Sequence, residues 1–127
     1  KIVDINGDKI PELLVVGLNG KSYIYTYKTQ KNKMKKLKSQ ELLQMDSLRP
    51  RLYYSAQKHK VVLMSANPSS MTFVTYKYKG KKIKKESTLV NVFGKNYRRG
   101  YVYNGKYISS KLGKKKVNKI LKYNKLQ

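Results

Sequence analysis

The chain has no cysteine, one histidine and six acidic residues in 127. Without Cys there are no structural disulfides, thiolate zinc sites, Fe–S clusters or Cys nucleophiles. With His59 alone, a multi-histidine metal centre is excluded too. No apolar run approaches the roughly 18 residues that a membrane-spanning helix needs. Initiating Met and signal peptide are both lacking, and Lys1 opens abruptly inside what reads as a hairpin. The expectation is an excised or processed piece of a longer protein, with any export signal already removed.

Positive charge is what the chain has in excess. Thirty Lys+Arg against six Asp+Glu give a formal net charge of +24. This excess costs stability through self-repulsion and attracts anionic partners, but says little about the fold. Arg is scarce: Arg49, Arg51, Arg98 and Arg99 stand against 26 Lys. Phosphate and base recognition lean on the bidentate Arg fork. The Lys excess therefore reads first as a solvated surface. The length fits one domain, and a hydrophobic content of 39% is enough for one modest core.

The few acids carry more information than the many bases. Three of the six, Asp4, Asp8 and Glu12, fall within the first twelve residues. With Asn6 they place oxygen-bearing side chains at loop positions 1, 3, 5 and 9. A tightly wound loop of this kind turns alternate side chains onto one hard cation. Calcium takes six to eight oxygens, and the backbone carbonyl of Ile10, at position 7, would supply another. An EF-hand would need a Glu at position 12, where Val15 stands, and a helix afterwards. Glu12 leads instead into Leu13-Leu14-Val15-Val16, which reads as a buried strand.

The stretch from Asp4 to Val16 resembles the calcium loop of FG-GAP repeats (VCBS-like), as found in integrin α-type β-propellers and exported Gram-positive bacterial proteins. Their pattern is Asp-x-Asn/Asp-x-Asp-Gly-x-Pro-Glu-Leu and then apolar residues. The resemblance implies a β-hairpin closed around Ca²⁺ in a secreted or cell-surface protein. It covers about a tenth of the chain. Lys9 stands where the family usually has Gly, often at positive φ, a conformation costing a non-Gly residue about 1 kcal/mol.

A repeat at a spacing of 49 supports a blade-like organisation. Residues 12–39 overlie 61–88 without a gap, matching Leu14 with Leu63, Ile24 with Phe73, and Thr26-Tyr27-Lys28 with Thr75-Tyr76-Lys77. A period of 40–50 residues containing several strands is propeller-like. The expected strands of the first unit, 1–50, are Ile2-Val3, Leu13–Gly17, Ser22–Thr29 and Met34–Ser39. Those of the second, 51–90, are Leu52–Ala56, Val61–Ala66, Thr72–Lys79 and Ile83–Leu89. Asn19-Gly20 signals a hairpin turn, and Leu42-Leu43-Met45 reads as a connector. The tail, 91–127, predicts a hairpin at Asn104-Gly105. A short helix over Lys114–Asn124 should be weak unless docked, because Lys114-Lys115-Lys116 opposes its dipole; it is expected to cap an end or edge of the sheets. Two units cannot close a propeller, so the chain reads as one β-rich domain or a propeller fragment.

Other signals fit ordinary structure better. Gly17–Ser22 has a Gly-Lys-Ser ending but lacks the first glycine and the helix of a phosphate-binding loop. His59 lies in a Lys-flanked turn with no orienting acid, so no catalytic role is read for it. Tyr25 and Tyr27, with Tyr76 and Tyr78, lie beside lysines in a pattern suited to sugars or single-stranded nucleic acid, although tyrosine also packs well between sheets. Arg98 and Arg99 join the Lys-rich helix as candidates for an anionic ligand. The expectation is a non-catalytic exported binding or scaffold module. Its calcium loop is structural, and its Lys faces are suited to anionic wall polymers or glycans. The alternative is a basic nucleic-acid-binding β-domain.

Overall fold

Apolar residues alternate along most strands, and the alternation sorts them onto two faces of a central sheet. A computed structural model describes residues 1–16, 22–28, 33–37, 51–80 and 82–126. The fold is mainly β, and all strand pairings are antiparallel. In chain order the strands are β1 (Ile2–Val3), β2 (Glu12–Val16), β3 (Ser22–Lys28), β4 (Lys33–Leu37), β5 (Arg51–Ser55), β6 (Lys60–Ala66), β7 (Ser70–Lys79), β8 (Lys82–Val92), β9 (Gly100–Tyr103) and β10 (Lys106–Ile108). Helix α1 (Ser110–Leu121) and strand β11 (Asn124–Leu126) complete the order.

The first four strands form a sheet in the order β1-β2-β3-β4. The remaining seven form a second, in the order β10-β9-β8-β7-β6-β5-β11. Both are open sheets. One core lies between them: Ile5, Leu14 and Ile24 meet Leu52, Tyr54, Val61, Leu63, Val74, Tyr76, Tyr78 and Ile83. The opposite face of the large sheet carries a second core, in which Tyr53, Val62, Met64, Phe73 and Leu89 pack with Ile120 of α1. This sheet is buried on both sides, which explains the unbroken apolar run Val61-Val62-Leu63-Met64.

Strand order follows the repeat, but the pairing register does not. Leu14 pairs Ile24 in the first sheet, and their counterparts Leu63 and Phe73 are offset by one, with Leu63 opposite Val74. A one-residue slip exchanges the faces of a strand. Ile24 therefore enters the core between the sheets, while its counterpart Phe73 faces the helix. The slip is fixed at the β6–β7 turn, where Asn67 Oδ1 accepts from the amides of Ser69 and Ser70, each at 2.8 Å. A bulge in β8 makes a second exchange: the pairing jumps from Thr75–Ser87 to Tyr76–Lys85, leaving Glu86 as the extra residue. Ile83 and Leu89 consequently point to opposite cores, and Glu86 reaches Lys60 at 3.0 Å.

The tail matches expectation at its hairpin and differs at its helix. The Asn104-Gly105 hairpin forms with both residues at positive φ, 48° and 83°, as a two-residue primed turn requires. Helix α1 starts before Lys114 because Ser109 caps it, its Oγ accepting from the Leu112 amide at 3.2 Å. The helix covers a face of the large sheet instead of capping an end, since Gly113, Val117 and Ile120 form an inward stripe. Strand β11, which sequence periodicity does not signal, pairs with β5 along the edge. The Asn19-Gly20 turn, the Gly17–Lys21 segment and the Leu42-Leu43-Met45 connector lie outside the described residues.

Candidate metal centre

The β1–β2 connection is shaped by its own side chains. Asp4 accepts from the amides of Gly7 and Lys9 through its two oxygens, at 2.8 Å each. Asn6 Oδ1 accepts from the Asp8 amide at 3.1 Å, and Asp8 Oδ1 from the Ile10 amide at 2.8 Å. Asn6 Nδ2 donates to Asp8 Oδ2 at 3.3 Å. These local bonds coil the loop, with Gly7 at φ +80° and Lys9 at φ +69°. The Lys9 side chain is exposed, so its ammonium group sits in solvent.

Coiling brings together the three acids. Asp4, Asp8 and Glu12 each place a carboxylate oxygen within 4.8 Å of the others. Asp4 and Asp8 are half-buried, whereas Glu12 is fully buried at 0% exposure. Glu12 is the first residue of β2, and alternation turns it inward with Leu14. Its Oε2 accepts from the Ile5 amide at 2.8 Å. Its Oε1 is buried without a hydrogen-bond partner among the described residues. Burial raises the Glu12 pKa above its ordinary value; the Ile5 amide opposes this, and the charges of Asp8 and Asp4 reinforce it.

This set fits a hard divalent cation. Every side chain that could ligate does so through oxygen, and an ionised carboxylate has about four acceptor positions, so an accepted amide leaves room for a metal. A buried, unpartnered carboxylate oxygen beside two further acids is the configuration that a cation relieves. The amide of Ile10 is committed to Asp8.

Two residues of the large sheet adjoin the cluster. Tyr78 of β7 is 3% exposed, and its hydroxyl is buried without a partner among the described residues. Burial raises its pKa far above the ordinary phenol value, and the charges of Glu12 and Asp8 raise it further. His59, in the β5–β6 turn at φ +56°, makes a 2.6 Å hydrogen bond from Nδ1 to the Ile5 carbonyl. Its ring lies close over Gly7, where an added Cβ would meet Cε1 at 3.1 Å. Neither residue is marked for the metal site by the sequence, because each lies more than 45 positions from the loop.

The tyrosines divide unevenly. Tyr23 and Tyr25 lie side by side, ring centroids 6.2 Å apart, on the face of β3 away from the core between the sheets. The side chain of Tyr27 lies outside the described residues. Tyr76 and Tyr78 are buried at 3% each. They cannot stack on a ligand, and this corrects their place among the surface candidates. The physical reason is the register slip, which turns this part of β7 towards the other sheet. Arg98 and Arg99 are exposed, and the Arg98 guanidinium lies over the Tyr107 ring at 3.8 Å. Lys116 sits over Tyr103 at 4.0 Å.

No protein-family model, curated protein or solved structure matches the chain. Fold and site together define a basic protein of two open antiparallel sheets, with an oxygen-rich acidic cluster where the sheets meet.

Proposed function

We propose that the protein is a non-catalytic exported binding or scaffold module in which the Asp4–Glu12 loop holds a structural calcium ion. The observation that carries this reading is the Glu12 carboxylate, fully buried with Oε1 unpartnered among the described residues and grouped with Asp4 and Asp8. Leaving a buried acceptor unmet costs about 1–3 kcal/mol, and a bound cation removes that cost. Asp4, Asn6, Asp8, Glu12 and the Ile10 carbonyl would be its ligands. Resemblance to FG-GAP loops favours calcium, an extracellular or cell-surface setting and descent from propeller-type blades. The four-strand meanders β1–β4 and β5–β8 fit that origin in their order. Calcium would neutralise the acids and hold β1 to β2. Even a weak site would fill at millimolar extracellular concentrations, adding RT ln(1 + [Ca²⁺]/Kd) to stability.

The exposed Arg98, Arg99 and helix lysines suit an anionic wall polymer or glycan. The test of the calcium reading is a pair of thermal melts, with calcium and with chelator, repeated on Asp8→Ala. Calcium should raise the wild-type Tm by several degrees and leave the variant unmoved. A wild-type Tm indifferent to both additions overturns the reading.

A further inference from the structure

We infer that the cation site belongs to both sheets: His59 and Tyr78 of the large sheet are positioning residues for the metal loop, so that binding the ion fastens one sheet to the other. The inference rests on the calcium reading and extends it from the loop to the packing of the whole molecule.

A continuous chain of hydrogen bonds links β7 to the acids. The Tyr78 amide donates to the His59 carbonyl at 2.9 Å. The His59 ring bonds the Ile5 carbonyl at 2.6 Å. The Ile5 amide donates to Glu12 Oε2 at 2.8 Å. Ile5 itself is fully buried in the core between the sheets, in the same cluster as Tyr78. The His59–Ile5 bond is the link that crosses between the sheets; the other two anchor its ends, His59 to β7 and Ile5 to Glu12.

A second observation concerns unmet polar groups. Glu12 Oε1 and the Tyr78 hydroxyl are both buried, and both lack partners among the described residues. Ser22 Oγ, at the start of β3, is a third buried group without a partner among the described residues. Native interiors satisfy almost all such groups. The phenol is a donor and the carboxylate an acceptor. With the cation drawing the three carboxylates together, the Tyr78 hydroxyl donates to Glu12, and the two orphaned groups are satisfied in one arrangement. His59 has a left-handed backbone, at φ +56°, a conformation that favours glycine.

The experiment is calorimetric titration of the full chain with calcium chloride, combined with amide hydrogen exchange. It compares wild type, His59→Gly and Tyr78→Phe. Glycine accepts the backbone at position 59, and Phe keeps the buried ring, so both variants retain the fold. Tyr78→Phe loses a hydrogen bond made only in the bound state, and His59→Gly loses the bond that holds Ile5, and through it Glu12, in place before the ion arrives; affinity should fall roughly three- to tenfold in each. Tyr78→Phe should also make the calcium-free protein more heat-stable, since it deletes an unmet hydroxyl. Lower affinity with higher apo-stability is a pattern that a merely structural residue does not give. In wild type, calcium should slow exchange at the Tyr78 amide as well as at the Gly7, Lys9 and Ile10 amides. In His59→Gly the protection should stop at the loop. Wild-type protection confined to the loop, or unchanged affinity in both variants, overturns the two-sheet site while calcium binding stands. Absence of binding by wild type overturns the calcium reading and this inference with it.

Discussion

Glu12 is the residue on which the site turns, because its environment opposes the charge it carries. Desolvation raises its pKa in the folded chain above the unfolded value. The folded state therefore takes up the proton first as pH falls. In the calcium-free protein, the associated stability is present below the unfolded value and is lost as pH rises through the folded one. The carboxylate is only half satisfied, through Oε2. Glu12→Gln removes the charge and keeps the shape. In chelator it should stabilise the protein at neutral pH by about 1–3 kcal/mol. That advantage should shrink as pH falls towards the carboxylate range of about 4–5. Paired denaturant melts across that range check both points, and a variant less stable than wild type at neutral pH contradicts them. Calcium should reverse the ranking, since the variant cannot offer the ion a third carboxylate.

At the scale of elements, helix α1 shows contact overriding propensity. Gly113 occupies the helix interior, where Ala is ordinarily better by about 1 kcal/mol. An added Cβ there would lie 2.1 Å from the Tyr101 ring. Gly113→Ala should therefore destabilise the protein by about 1–3 kcal/mol, the usual cost of overpacking, and a urea midpoint unchanged or raised would contradict this. The same contact explains how a helix carrying Lys111 in its first turn and Lys114-Lys115-Lys116 directly after it holds: Ser109 caps it, and Gly113 lets it approach β9 closely. Elements of this kind are largely legible in sequence. An apolar run marks β2, alternation marks β3, Asn104-Gly105 marks its hairpin, and the spacing of Val117, Ile120 and Leu121 marks the helix. Which face each strand presents is not legible from the repeat. One side-chain cap at Asn67 and one extra residue at Glu86 each exchange faces; the first buries Tyr76 and Tyr78, and the second sends Ile83 and Leu89 to opposite cores. The acid cluster is local and can be read directly. His59 is 54 residues from Ile5, and only the packing of the two sheets unites them.

For the molecule as a whole, the net charge of +24 and the acid cluster act in opposition. The cluster attracts a divalent cation over a few ångströms, at a partly buried position where screening by salt is weak. The surrounding lysines repel the same cation over longer distances, largely through solvent, where screening is strong. The Debye length falls from about 30 Å at 0.01 M salt to about 10 Å at 0.1 M and about 3 Å at 1 M. Raising NaCl should therefore remove the repulsion before it weakens the attraction. The lysines also repel one another, and a screened surface should let the loop and both sheets close more completely. Calcium affinity should thus tighten severalfold between low and moderate salt. Around an acidic protein the background field favours the cation, and added salt weakens binding. Calorimetric titration with calcium at several NaCl concentrations measures the sign. Affinity that falls steadily with salt would mean that the local carboxylates, not the Lys-rich surface, dominate the field at the site. Affinity that rises would assign the surface charge a tuning role, making the loop respond to the ionic surroundings of the whole molecule.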